Sequence, residues 1–128
     1  MTYLVTGGAG FLGSNFVDFL VTMLKEEDKI YAIDNLSTGK LEYLNTDSRI
    51  TLIKSDISDF NSMNDIISQL EPDYIWHFAA LTRIQPSFED PLLHEQVNVI
   101  GTINIIKAVI DNKLKTKIVT GLDKIPAP

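Results

Sequence analysis

Several features are scarce in this sequence, and each scarcity excludes a class of function. The 128 residues contain no cysteine, which excludes disulfides, zinc–thiolate sites and thiol catalysis. Basic residues are also few, since 11 Lys and Arg against 17 Asp and Glu leave a net charge of −6. They form no patch that would suit nucleic acid. No apolar run approaches the roughly 18 residues that span a membrane. We therefore predict that the protein binds neither nucleic acid nor a membrane.

The composition is that of an ordinary globular chain. Hydrophobic residues make up 45% and charged residues 22%, and the length suits one domain. The N-terminus enters an apolar run at once, which leaves no room for a signal peptide. We therefore expect a cytoplasmic protein.

Apolar strand-like runs alternate with helical patterns along the chain. We predict strands at residues 3–5, 29–33, 50–53, 74–78 and 118–119, and helices from residue 12, from about residue 61 to 70 and from about 92 to 112. Asp59 or Asn61 is the expected cap of the second helix, and Pro72 ends it. This alternation predicts an α/β fold, a Rossmann-type doubly wound parallel sheet in the order 3-2-1-4-5.

Two of these helices carry a marked apolar stripe. On the first helix, one face collects Leu12, Phe16, Phe19, Leu20 and Met23. On the long helix, we expect the buried stripe to consist of Val97, Ile100, Ile103, Ile106 and Ile110.

A glycine-rich stretch joins the first strand to the first helix. Residues 8–13, GAGFLG, fit the pattern GxGxxG, and Gly7, Gly10 and Gly13 fit the wider GxxGxxG. Glycines in this context allow a tight turn, a close approach of backbone to a pyrophosphate and close packing of helix on strand. The unpaired N–H groups of the helix start would then bind the phosphates of a dinucleotide.

An acidic residue follows at the distance that a dinucleotide fold requires. Asp34 lies 21 residues after Gly13, at the end of the second strand, where a carboxylate accepts hydrogen bonds from the adenosine ribose. Its charge would repel a 2′-phosphate, which favours NAD over NADP. The alternative is an ordinary turn-capping Asp beside Asn35.

Other residues at the ends of strands have two interpretations each. Asp56 either accepts from an adenine amino group, with Ile57 packed on the ring, or caps a turn. His77 is more typical of a hydrogen-bonded core residue than of a catalyst, and no pattern indicates a metal site. The small pair Ala79-Ala80 either lets backbone run close to a flat ligand or serves packing.

Two polar residues further along also stay open. Arg83 suits a phosphate or carboxylate of a substrate, but an isolated arginine is equally typical of a solvated surface. Asn98 needs a partner at the start of the apolar stripe, either backbone or cofactor.

Laid out together, these segments resemble the N-terminal part of an NAD-dependent nucleotide-sugar epimerase/dehydratase of the extended short-chain dehydrogenase/reductase family. The matching pieces, in order, are TGGAGFLGSN at 6–15, DNLSTG at 34–39, Asp56-Ile57, HFAA at 77–80 and NVIGT at 98–102. The run RIQPS at 83–87 is most similar to the branch of UDP-hexose 4-epimerases.

The resemblance implies an NAD site with a role for each segment. It assigns to the pyrophosphate Gly7, Gly10, Phe11, Leu12 and Gly13. It places around the adenosine ribose Asp34, Asn35, Leu36, Ser37, Thr38 and Gly39. Asp56 and Ile57 would contact adenine, and towards the nicotinamide would lie Phe78, Ala79, Ala80 and Asn98.

The sequence departs from the family after the fifth strand. There the family has a Ser-Ser or Ser-Thr motif, a catalytic Tyr-x-x-x-Lys and a C-terminal domain that binds the nucleotide sugar. None of the four tyrosines here has a lysine four residues on. We therefore expect an NAD-binding domain over 1–120, an irregular tail over 121–128 and no catalytic residues of the family.

The resulting prediction is an NAD(H)-binding portion of an epimerase/dehydratase, truncated after the fifth strand and without catalysis by itself. A nucleotide sugar would bind only a full-length relative. The alternatives are a non-enzymatic assembly module, which self-associates or pairs with a separate C-terminal half through its sheet edge and long helix, and a remnant without function.

Overall fold

The computed structural model describes residues 1–36, 39–78 and 99–120, and its core is a five-stranded parallel sheet. The strands are β1 (Thr2–Thr6), β2 (Lys29–Asp34), β3 (Ile50–Lys54), β4 (Tyr74–His77) and β5 (Lys117–Thr120). Their order is β3-β2-β1-β4-β5. The predicted fold class and strand order are thus confirmed.

Three α-helices and one short 3₁₀ helix connect these strands in the described ranges. They are α1 (Phe11–Val21), the 3₁₀ turn Leu41–Tyr43, α2 (Phe60–Leu70) and α3 (Gly101–Asp111). Within the same ranges, no helix is long and apolar enough to cross a membrane.

Strand β1 lies in the middle of the sheet, and its side chains are covered on both faces. Leu4 points into a core shared with α2 and α3, which includes Ile75, Met63 and Ile105. Its neighbour Val5 points to the other face, into a core shared with α1. An apolar run that is buried on both faces is typical of the middle of a parallel sheet.

Helix α2 begins and ends as its sequence predicts. The Asp59 carboxylate accepts a hydrogen bond from the backbone N–H of Ser62, so it is the N-cap, an interaction that stabilises a helix by about 1 kcal/mol. Glu71 follows the helix in a left-handed conformation, with a φ of 45°, and Pro72 cannot continue the helix.

The predicted buried stripe of the long helix is wrong for the part that the structure describes. Ile103, Ile106 and Ile110 are 54%, 41% and 67% exposed, and Ile100 is exposed as well; Val97 lies outside the described residues. The buried face instead carries one isoleucine, Ile105, among residues that are smaller or polar, namely Gly101, Asn104, Ala108 and Val109.

Close approach explains this choice of face. A side chain at position 101 would overlap Ile57, so glycine there lets α3 lie directly on the core. The Asn104 amide donates a hydrogen bond to the Ile57 carbonyl at 2.9 Å, which satisfies a buried polar group. The bulky isoleucines are more apolar, but they would hold the helix further from its neighbours.

Helix α1 shows the same preference for small residues at the contact. Its buried residues are Gly13, Ser14, Val17 and Leu20, so of the predicted stripe Leu20 is fully buried. Phe19 and Met23 are 57% and 66% exposed. The sheet accepts the glycine-bearing face because that face lets the start of α1 lie close to β1.

Arg49 fixes the other end of α1. Its guanidinium donates to the carbonyls of Val21, Leu24 and Lys25 at the helix C-terminus, at 2.9–3.2 Å. The same group pairs with both carboxylate oxygens of Asp47. These hydrogen bonds lower the pKa of Asp47 to about 2, and the arrangement ties the helix to the start of β3.

Candidate functional site

The residues of the candidate site meet because parallel strands end at one edge of the sheet. The register pairs Thr6, the last residue of β1, with Ile33 of β2 and with His77 of β4. Asp34 pairs in turn with Lys54 at the end of β3. The glycine turn, Asp34 and the segment after β3 therefore share the carboxyl edge, where ligands bind in open α/β sheets.

The glycine turn leaves β1 and passes over the end of β2. The N–H groups of Gly7 and Gly8 both donate to the Ile33 carbonyl, at 2.7 and 3.3 Å. Gly10 N–H then donates to the Gly7 carbonyl at 3.0 Å, which closes the turn. Gly7 has a φ of 70°, a left-handed conformation that glycine adopts without steric cost.

Three further glycines of the turn differ in what surrounds them. A Cβ on Gly8 would lie 2.6 Å from the Cβ of Ala32, and one on Gly13 would overlap the Gly7 carbonyl. A Cβ on Gly10 would meet, within the described ranges, one atom, the Gly7 oxygen at 3.3 Å. Gly8 and Gly13 are thus required by packing, whereas a Cβ on Gly10 would make a single tight contact, with the Gly7 oxygen.

The start of α1 presents backbone N–H groups that suit an anion. Gly10 is its N-cap and supplies no side chain, and within the described part of the chain no side chain caps it and no acidic residue stands in its first turn. The N–H groups of Phe11, Leu12 and Gly13 have no acceptor within the helix. Helix starts of this kind favour phosphate groups.

Asp34 is buried and both of its carboxylate oxygens accept hydrogen bonds. Oδ2 accepts from Ala9 N–H at 3.0 Å, and Oδ1 accepts from Leu36 N–H at 2.7 Å. The second bond supports Leu36 in a left-handed conformation, φ 62°, which costs a residue with a side chain about 1–2 kcal/mol. Asp34 therefore caps a turn, as the alternative interpretation predicts, and this role does not exclude a contact with the cofactor. A carboxylate offers about four lone-pair positions, so capacity for ribose hydroxyls is left.

The segment after Asp34 returns to the glycine turn. Lys40 N–H donates to the Ala9 carbonyl at 3.0 Å. Gly39, which precedes it, is buried against Asp34 and Ala9. Asn35 is exposed beside them. Asp34 and Lys40 are thus both hydrogen-bonded to Ala9, in the middle of the turn that is predicted to bind the pyrophosphate.

Asp56 and Ile57 lie beside this edge in different environments. Asp56 is exposed, and its Oδ1 accepts from the N–H and the hydroxyl of Ser58 at 2.9 and 2.8 Å, which is the turn-capping alternative. The Ile57 side chain is buried in the core. The contacts of adenine with Asp56 and with Ile57 stay predictions.

His77 is a hydrogen-bonded core residue, as its sequence context predicts. Its Nδ1 lies 2.6 Å from the Thr6 hydroxyl and its Nε2 lies 2.9 Å from the Thr102 hydroxyl. Phe78 N–H donates to the Thr6 carbonyl at 2.9 Å, and the Phe78 ring packs on Phe16 at 5.3 Å. These contacts join the ends of β1 and β4 to the first turn of α3.

Some predicted site residues lie outside the described residues. They are Ser37, Thr38, Ala79, Ala80, Arg83 and Asn98. In the part of the chain that is described, no group of three or more metal-ligating side chains occurs.

One residue of the site escaped the sequence analysis. Ala9, between Gly8 and Gly10, is completely buried and is hydrogen-bonded through both its N–H and its carbonyl. Its small side chain was a weak signal, because the pattern GxGxxG leaves this position unspecified.

With this geometry in hand, comparison with known proteins identifies the family. The family model described as GDP-mannose 4,6 dehydratase matches residues 4–120. A UDP-glucose 4-epimerase of Mycolicibacterium smegmatis is 34% identical over 111 residues. The chain belongs to the nucleotide-sugar epimerase/dehydratase family.

Solved structures of epimerases from this family share the fold. A UDP-glucose 4-epimerase of Thermotoga maritima with UDP-glucose has a TM-score of 0.83 at 34% identity, over 94% of this chain. A UDP-glucose 4-epimerase of Thermus thermophilus in complex with NAD has a TM-score of 0.78 at 32% identity, over 89% of this chain.

The match covers this chain far more completely than it covers the relatives. It includes 84% of this chain but 34% of the Mycolicibacterium epimerase, and 37% and 35% of the two solved epimerases. The chain therefore spans about a third of the length of these family members and corresponds to their N-terminal part.

The unequal surroundings of Gly10 and Gly13 predict unequal effects of substitution. We expect Gly13→Ala to lower the free energy of unfolding by about 2 kcal/mol or more, because its methyl group would meet backbone that cannot move aside. This outweighs the gain of about 1 kcal/mol in helix propensity. Gly10→Ala should cost about 1 kcal/mol, the usual effect of alanine at an N-cap. Urea unfolding followed by circular dichroism measures both; equal losses would contradict the assignment of roles.

Proposed function

We propose that this chain binds NAD(H), as the N-terminal portion of a nucleotide-sugar epimerase/dehydratase similar to UDP-hexose 4-epimerases. The observation that carries the proposal is the direct bond between the two halves of the predicted site, the glycine turn and Asp34. NAD-bound relatives with the same fold support it. The lack of cysteine agrees with the cytoplasmic location predicted from the sequence.

Each part of the cofactor has a matching group at the carboxyl edge. The pyrophosphate would accept hydrogen bonds from the N–H groups of Phe11, Leu12 and Gly13 at the start of α1, over the open position at Gly10. The free lone pairs of Asp34 would accept from the two ribose hydroxyls. The same negative charge opposes a 2′-phosphate, so the proposal includes a preference for NAD over NADP.

Substitution of Gly10 by valine tests this binding, with circular dichroism as the check that the variant is folded. We expect the wild-type chain to give a calorimetric binding signal with NADH, and Gly10→Val to weaken binding at least tenfold, a change of about 1.4 kcal/mol. The reason is that the side chain would occupy the space over the turn that the pyrophosphate needs. Thr46→Val, on an exposed loop, is the control and should bind as the wild type does. No heat from the wild type, or equal heats from wild type and Gly10→Val, would refute the proposal.

We further propose that the 128-residue chain does not catalyse epimerisation by itself. The family uses a Tyr-x-x-x-Lys pair, in which the lysine lowers the pKa of the tyrosine that moves the proton. None of the four tyrosines in this sequence has that lysine. Purified chain with NAD and UDP-glucose should form no UDP-galactose above the level without enzyme, whereas a complete epimerase assayed in parallel should. Turnover that increases with the concentration of this chain would contradict the proposal.

The exposed isoleucines of α3 favour a second candidate function, that of an assembly module. Ile103, Ile106 and Ile110 follow one another at intervals of three and four residues, and so they form one apolar face on the helix. A contiguous exposed apolar face of this kind commonly marks an interaction site. We propose that it pairs with a second copy of the chain. At the end of the sheet formed by the described strands, β5 offers an edge for pairing.

Charge on this face tests the association. The double variant Ile103→Glu/Ile110→Glu should raise the dissociation constant of the dimer at least tenfold, since two carboxylates would have to lose their water at the interface. Sedimentation equilibrium at several concentrations measures it. Thr51→Glu, on exposed β3, is the control for added charge. A wild-type chain that stays monomeric at about 100 µM, where a dimer with a micromolar dissociation constant would form, would remove this candidate.

A further inference from the structure

We propose that Gly39 is a positioning residue of the dinucleotide site. Because Gly39 has no side chain, Gly39 and Lys40 can lie against the peptide groups of Ala9 and hold the glycine turn in place. The sequence resemblance places Gly39 near the ribose. The structure assigns it a different task, which concerns the turn rather than direct contact with a ligand. The consequence for cofactor selection rests on the proposed NAD function, whereas the structural role does not.

Ala9 is held from two sides, by the last residue of β2 and by Lys40, which follows β2 in the chain. Its N–H donates to Asp34 Oδ2 at 3.0 Å, and its carbonyl accepts from Lys40 N–H at 3.0 Å. Ala9 is completely buried, so water does not compete for these bonds. Between them, the two bonds fix the peptide groups on either side of Ala9, in the middle of the glycine turn.

Space, and not backbone conformation, explains why position 39 holds glycine. Gly39 is not among the residues with positive φ, so its backbone suits any residue. A Cβ there would lie 2.7 Å from Asp34 Oδ2 and 2.9 Å from both the carbonyl carbon and the carbonyl oxygen of Ala9. Real Cβ atoms essentially never approach other atoms so closely. Two backbone N–H groups hold the Asp34 carboxylate, and the Ala9 atoms belong to the main chain. Neither group can therefore move away easily from a side chain at position 39.

A side chain at position 39 would therefore separate the two halves of the site. Either Asp34 Oδ2 leaves Ala9, or Ala9 moves and takes the turn between Gly8 and Gly10 with it. Both changes alter the place of the Asp34 carboxylate relative to the start of α1. Discrimination between NAD and NADP depends on the position of this carboxylate. A general loss of stability would leave the ratio of the two affinities unchanged.

Hydrogen exchange tests the structural part without any ligand. In Gly39→Ala, the Ala9 amide should exchange roughly tenfold faster relative to the Val5 amide of β1, as expected for loss of one hydrogen bond to a charged group. Asp34→Ala, which removes the acceptor itself, should give the same result and serves if Gly39→Ala does not fold. Ile67→Val, on the buried face of α2, lowers stability far from position 39 and should leave the ratio unchanged. Unchanged relative protection of Ala9 in a folded Gly39→Ala chain, or in Asp34→Ala, would overturn the proposal.

Affinities for the two cofactors test the consequence for binding. Calorimetry with NAD and NADP should show that the ratio of the two affinities falls several-fold in Gly39→Ala, whereas in Ile67→Val it stays at the wild-type value. A wild type that binds NAD, together with an unchanged ratio in Gly39→Ala, would overturn the positioning role. A wild type that binds neither cofactor would instead contradict the proposed function, and the exchange of the Ala9 amide would still decide whether Gly39 holds the turn.

Discussion

The close approach of α1 to the end of β1 is the constraint on which the nucleotide edge depends. It exists because Gly13, in the first turn of the helix, lies against the carbonyl of Gly7. With the helix so close, the turn between them has room for a tight path that bonds to the end of β2. Within the described ranges, the N–H groups at the helix start are then left without side-chain partners, at the edge where β2 ends in Asp34.

Asp34 shows that a structural and a functional interpretation of one residue need not compete. Its carboxylate organises the turn through Ala9 and supports the left-handed Leu36. The same hydrogen bonds hold the carboxylate in one orientation before any ligand arrives. A binding group that is already ordered loses little conformational entropy when it binds. The capping role therefore favours the cofactor role.

The sequence predicts the strands, their order and the glycine turn well, because these depend on local patterns and on the general rules of parallel sheets. It fails on the faces of α1 and α3. Periodicity identifies that a helix has an apolar side, but α3 has two such sides, and the choice was made by Gly101 and Ala108 through close packing. The bond between Ala9 and Asp34 joins residues 25 positions apart, and no local pattern contains that information.

The position of β1 in the sheet has a consequence for how the chain folds during synthesis. The first strand pairs with β2 and also with β4, where Thr6 lies beside His77. The side of the central strand that pairs with β4 cannot be completed until residues 74–77, and so more than half of the chain, have left the ribosome. Pairings so distant along the chain are slow to form, and apolar strands that wait for them are prone to aggregate. The residues made first are thus among the last to be fully enclosed.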